Sequence, residues 1–181
     1  LGTEWHDSGR KLNKQNSFDD FISAAEFLIK IKATNADKIA INGGSNGGLL
    51  IGASITQRPD LFKAAIPEMG VLDMLRFEKY GIAYVHHEEY GSVADSIEFL
   101  NLLSYSPLHN IKSGVHYPGT LVITAENDDR VPPFHSFKFI ANLQEQSGNK
   151  NPYLLYLHKN SGHYGSSTIE GKLNVESYKY S

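Results

Sequence analysis

Apolar positions fall at two spacings along this chain. Phe18, Phe21, Ile22, Ala25, Leu28 and Ile29 recur three and four apart, which predicts a core-facing helix running to about Lys32. Ser17 reads as its N-cap, with Asp19 and Asp20 in the first turn where the helix dipole favours acids. The polar stretch Leu1 to Asn16 ahead of it reads as a loop. Lys38-Ile39-Ala40-Ile41 then opens a buried strand ending in glycines. Leu49 to Gln57 is a predicted helix that stops before Pro59, because the residue ahead of a proline is pushed out of the α region.

The remainder alternates in the same way. Phe62 to Val71 reads as a strand, with Pro67 suggesting an edge or a bulge. Asp73 to Ile82 reads as helical, Ala83 to Asp95 as irregular, and Ile97 to Leu103 as a short helix ended by Ser106-Pro107. Thr120 to Ala125 is a second strong strand. Phe134 to Gln146 is a helix with Phe137, Ile140 and Ala141 inward. Gly148 to Pro152 is a loop, Tyr153 to His158 a third strand, and Lys159 to Gly165 a turn. Strands alternating with helices predict an α/β fold, a mostly parallel sheet with helices on both faces.

Composition narrows the field without naming a chemistry. The 181 residues suffice for one domain with a sizeable core. A net charge of −3 offers no footprint for nucleic acid or an anionic membrane, and no apolar run approaches the about 20 residues of a membrane span. The absence of cysteine excludes disulfides and thiolate chemistry and fits a reducing, cytoplasmic compartment. The chain begins at Leu1 rather than Met, so an upstream portion is expected.

Chemistry enters where the first strand ends. Gly43-Gly44-Ser45-Asn46-Gly47 is a Gly-x-Ser-x-Gly turn between strand and helix, the context of a nucleophile elbow. Such a turn strains the serine backbone and demands neighbours without a Cβ; Gly43, Gly44, Gly47 and Gly48 meet that demand. A glycine-rich turn can instead cradle phosphate, but neither the Walker spacing nor Gly-x-Gly-x-x-Gly is present. A serine nucleophile needs a base, and the base a carboxylate that fixes its tautomer. The order Ser, acid, His, each following a strand, is that of α/β-hydrolases. Ser45, then Asp128 or Asp129, then His163 supply it. The residues alone do not choose between the two aspartates, which could both be solvated turn residues. The backbone N–H of Asn46 is the expected oxyanion donor, with a second expected from an earlier strand.

The other histidines, His6, His109, His116, His135 and His158, default to surface or packing roles. His86-His87-Glu88-Glu89 invites a metal reading, but neighbouring side chains point different ways and no zinc spacing is present. No metal and no cofactor are expected.

A family resemblance joins these pieces. Trp5-His6, Lys14 to Phe21, Asn42 to Leu50, Gln57 to Phe62, Gly70 to Leu75, Tyr105 to Asn110, Asp128 to Val131 and Gly162-His163 together resemble the prolyl oligopeptidases. These are serine peptidases of the α/β-hydrolase fold. The resemblance implies that residues 1–181 are part of the catalytic domain, incomplete on its N-terminal side. The family's amino-terminal β-propeller, and a tyrosine serving the oxyanion hole, then lie outside this chain. It makes Ser45 the nucleophile, Asp128 the triad carboxylate and His163 the base. Arg130 is implied to bind a peptide carbonyl, a job suited to a fixed guanidinium fork. Val71, Ile82, Val131 and Tyr90 are implied to line a proline pocket, although the aliphatics could equally be core. His86 stands where the family usually has a Trp that stacks on the proline ring, so weaker proline preference is expected. Tyr164 to Ser181 departs from the family's closing helix. The implied reaction is cleavage of proline-containing oligopeptides after proline through an acyl-enzyme, by a protein monomeric at full length. An esterase or aminopeptidase on the same fold, or an inactive fragment, are the alternatives.

Overall fold

A computed structural model describes residues 2–148 and 151–180. Leu1, residues 149–150 of the expected 148–152 loop, and Ser181 lie outside the described residues. Four strands, β1 (Ala40–Gly44), β2 (Ala64–Glu68), β3 (Gly119–Ala125) and β4 (Tyr153–His158), form one sheet in the order β1-β2-β3-β4. Every pairing is parallel. The described helices are α1 (Gly2–Asp7), α2 (Gln15–Lys30), α3 (Asn46–Gln57), α4 (His87–Tyr90), α5 (Ser96–Tyr105), α6 (Phe134–Gln146) and α7 (Ile169–Lys179).

Side chains alternate across a strand, and here the alternation sorts the core into two layers. Ile41, Ala65, Val122 and Tyr153 face one way, onto Ile51 and Ile55 of α3 and Phe139, Ile140 and Leu143 of α6. Ile22 and Ala25 bring α2 into the same cluster. Ile66, Leu121, Ile123, Ala125 and Tyr156 face the other way, where Val175 of α7 packs with Met69. Helices therefore cover both faces of a parallel sheet, as the alternation predicted.

Packing is tight at the C-terminal end of β1. A Cβ on Gly48 would come within 2.6 Å of Gly70 Cα and 2.8 Å of the Glu68 carbonyl oxygen, and one on Gly43 within 2.6 Å of the Gly47 carbonyl oxygen. Only hydrogen at these positions lets α3 start directly against β1 and β2.

Local expectations fail where tertiary contacts take over the backbone. The Leu1 to Asn16 segment contains α1 and a 3-10 turn at Lys11–Asn13 rather than a loop throughout. α2 begins at Gln15, so Ser17 lies inside it; its hydroxyl donates to the Gly9 carbonyl (3.0 Å) instead of capping. Phe18, Ile22 and Ala25 are buried, but Leu28 is exposed. Pro67 sits in an interior strand: the β2–β3 ladder is interrupted between Ala65 and Glu68 and resumes in unchanged register, so no bulge forms. Asp73 to Ile82 is turns and a single 3-10 turn, Phe77–Lys79, not a helix. Its N–H groups are drawn to side chains: that of Asp73 donates to His135 Nδ1 (3.0 Å), Met74 to Ser106 Oγ (3.1 Å) and Leu75 to Asp73 Oδ1 (3.2 Å). α6 buries His135, Ser136, Phe139, Ile140 and Leu143, while Phe137 and Ala141 face outward. After Tyr164 a helix does form, α7, although only Val175 of it is buried.

Gly48→Ala is expected to lower the unfolding free energy by about 1–3 kcal/mol, the usual cost of forcing volume into a packed site. Urea unfolding of the variant checks this; an unchanged midpoint would mean that α3 can retreat from β2.

Candidate active site

Ser45 occupies the turn between β1 and α3 with φ 57° and ψ −118°. Non-glycine residues rarely adopt positive φ, and such strain persists only where its surroundings impose it. Here the close glycine contacts impose it, together with the Ser45 N–H, which donates to the Glu68 carbonyl (2.8 Å). Asn46 opens α3, so its N–H is among the first-turn donors that have no acceptor within the helix.

The acid follows β3 and the histidine follows β4, with β2 lying between them and the strand that carries Ser45. Asp128 leaves β3 and is 4% exposed. Its Oδ1 accepts from the backbone N–H of Arg130 (3.0 Å) and of Val131 (2.8 Å), while Oδ2 meets His163 Nδ1 at 2.7 Å. A buried carboxylate is tolerated when hydrogen bonds replace its hydration, and these three do so. Asp129 is exposed and offers its carbonyl, not its side chain, to the Ile82 N–H (3.2 Å). Geometry thus separates two aspartates that are alike in the sequence. Ser45 and His163 line one cavity of about 550 Å³; among the described residues no direct hydrogen bond joins them.

On the other side of Ser45 lies a second cavity of about 260 Å³, lined by Asn46, Val71, Tyr90, Arg130, Val131 and His86, among others. Ile82 does not line it and is 41% exposed. Phe77 and His135, which the pattern does not single out, also line this cavity, as does Glu89 of the His-Glu run. Phe77 was hidden in the supposed helix, and His135 read as packing. Tyr90 Oη donates to Asn46 Oδ1 (3.1 Å), and burial raises its phenol above the usual range, keeping it a donor. Arg130 Nη1 donates to Tyr164 Oη (2.7 Å), and its guanidinium lies 5.8 Å from that ring's centroid.

The His86-His87-Glu88-Glu89 run disperses: His86 goes to the cavity, His87 to Glu78, Glu88 to Arg10 and Lys11, and Glu89 to Lys14 (2.5 Å) and His6 (2.8 Å). Burial alone would raise the Glu89 carboxyl; hydrogen bonds from Lys14 and His6 outweigh it and hold the group below its ordinary range. Lys14 also sits over the Tyr90 ring, 5.5 Å from its centroid.

A parallel sheet with a left-handed serine after β1, and an acid–histidine pair after β3 and β4, has the form of an α/β-hydrolase. Comparison with known proteins agrees. The model of the prolyl oligopeptidase family matches residues 1–179. A prolyl endopeptidase of Elizabethkingia miricola is 50% identical over 170 residues, 93% of this chain and 24% of that protein. A solved structure from a study of two prolyl endopeptidases superposes with a TM-score of 0.96 at 42% identity, covering 98% of this chain and 26% of its own. Prolyl oligopeptidase B from Galerina marginata, solved with a 35mer hydrolysis and macrocyclization substrate, gives a TM-score of 0.83 at 45% identity, covering 86% of this chain and 22% of its own. This chain belongs to the prolyl oligopeptidase family. It spans about a quarter of the length of these relatives.

His135 makes the stability of the fold depend on pH. Burial pushes its imidazole from 6.5 down to about 4, with Asp73, Lys138 and Asp128 as the nearby charges. The folded chain therefore stays neutral there while the unfolded chain takes up a proton. Stability from this group is complete above pH 6.5, falls as pH drops, and the loss is finished near pH 4. His135→Asn keeps an acceptor for the Asp73 N–H and should flatten the difference between urea midpoints at about pH 7.5 and about pH 5; equal slopes in both proteins would contradict the assignment.

Proposed function

We propose that this chain carries the catalytic apparatus of a serine endopeptidase that cleaves oligopeptides on the carboxyl side of proline. The observation that carries the reading is the buried Asp128–His163 hydrogen bond, at the sheet edge where Ser45 is held in its strained turn. With Nδ1 bound to Asp128, the Nε2 of His163 is the nitrogen left to face Ser45. In the proposed reaction His163 takes the Ser45 proton as the hydroxyl attacks the scissile carbonyl, and Asp128 steadies the imidazolium that results. The Asn46 N–H stabilises the oxyanion. His163 then passes the proton to the departing amine, and water clears the acyl-enzyme by the same route. Hydrogen bonds of this kind often tighten only when substrate is bound.

The cavity on the Tyr90 side suits the acyl half of the substrate. Val71, Phe77 and Val131 give it apolar walls for a proline ring, and the Arg130 guanidinium at its edge can bind a peptide carbonyl. The prolyl endopeptidase relatives support this choice. His86 contributes a smaller, more polar ring than Trp would, which lowers the stacking available to proline.

Two measurements test the reading. Asp128→Asn keeps an acceptor for the Arg130 and Val131 N–H groups but presents the wrong partner to His163; kcat on a blocked Gly-Pro amide should fall by about 10⁴-fold. A fall below tenfold would remove Asp128 from the mechanism. His86→Trp should raise the ratio of kcat/KM for Gly-Pro over Gly-Ala amides by about two- to tenfold, the worth of one aromatic contact. An unchanged ratio would place His86 away from the substrate ring.

A further inference from the structure

The two cavities that meet at Ser45 are not equivalent. Asn46 and Arg130 line the one on the Tyr90 side, whereas His163 lines only the one of about 550 Å³ between itself and α7. The departing nitrogen must receive its proton from His163, so the residues that follow it lie on the His163 side. We propose that this cavity binds the amine-side portion of the substrate and favours an apolar or aromatic side chain directly after the scissile bond. The inference rests on the peptidase reading above.

The lining decides the preference. Met69 and Val175 supply buried apolar surface, and Tyr164, 83% exposed, presents its ring at the entrance. The charges in the cavity are mostly engaged with one another. Lys179 Nζ lies 2.8 Å from Glu68 and 2.8 Å from Glu176, and Asn42 Nδ2 donates to Glu68 Oε1 (2.6 Å). Lys172 stands exposed at the rim. A charged substrate side chain would compete with pairs already made, while an apolar one finds free wall. The volume falls within the ordinary range for small-ligand sites.

Acyl transfer reads this side of the site alone. A blocked Gly-Pro methyl ester acylates Ser45 and releases methanol, which is too small to occupy the cavity. An added amine then competes with water. Its nitrogen attacks the acyl carbonyl, the new C–N bond forms as the bond to Ser45 Oγ breaks, and the amine proton passes through His163 to the serine oxygen. With the full chain and equal concentrations of phenylalaninamide and glycinamide, the phenylalanine product should exceed the glycine product by about tenfold or more, as expected for burying an aromatic side chain. In Val175→Trp the ratio should fall towards one; being a ratio, it does not depend on how much of the variant is folded, and the wild-type value is decisive by itself. Equal capture of the two amines by wild type overturns the amine-side site and leaves the peptidase reading standing. Failure to release methanol, with no fluorophosphonate labelling of Ser45, overturns both.

Discussion

Everything at the functional edge of this molecule depends on how closely one helix approaches two strands. α3 starts with its backbone against β1 and β2, at separations that leave no room for a Cβ on Gly43, Gly48 or Gly70. The chain can turn from strand to helix in so little space only if Ser45 takes a left-handed conformation, and it does. The hydroxyl is thereby raised above the sheet edge with open space on either side. The two cavities that Ser45 lines follow from that single turn. The acid and the histidine then need only be placed at the ends of β3 and β4, on the same edge of the sheet.

Two buried carboxylates are handled in contrasting ways. Asp128 is satisfied by two backbone N–H groups and one imidazole, an arrangement that commits it to orienting His163. Asp73, wholly buried, is satisfied by Lys138 and the Leu75 N–H, with Arg76 at 3.6 Å. Its own N–H fixes the ring of His135. The second cluster is a brace: it ties the irregular segment after β2 to α6 and sets one wall of the Tyr90-side cavity. Removing one partner from a buried charge cluster of this kind leaves a desolvated charge behind, so the brace and the cavity wall stand or fall together.

How much of this could be read from residues alone varied with the kind of force involved. The strands, the elbow around Ser45 and the acid–histidine order were legible because they depend on local composition and on chain order. The choice of Asp128 over Asp129 was not, since both are turn aspartates and only the chain path after β3 turns one inward. Asp73 to Ile82 carries helical spacing, yet its backbone donors are claimed by His135, Ser106 and Asp73 itself, which no local pattern displays. The inward face of α6 was displaced by one position: Phe139, Ile140 and Leu143, rather than Phe137 and Ala141, pack on the sheet. Ile82, expected beside the proline ring, is held outward by its backbone contact with Asp129. Pro67 in an interior strand was unforeseen for a different reason: the sheet gives up a stretch of its ladder there without changing register.

The wall carrying His86 and Tyr90 is built on a 3-10 turn, Ala83–His86, and α4, single turns of the kind that have no stability of their own. It is strapped down from outside by the N-terminal segment: Arg10 and Lys11 hold Glu88, while Lys14 and His6 hold Glu89. Most of those contacts are open to solvent and therefore to screening by salt, whereas the sheet and its helices are held by apolar burial. Rising ionic strength therefore loosens the strap on this wall well before it weakens the sheet and its helices, so the two parts of the molecule answer to different solution conditions.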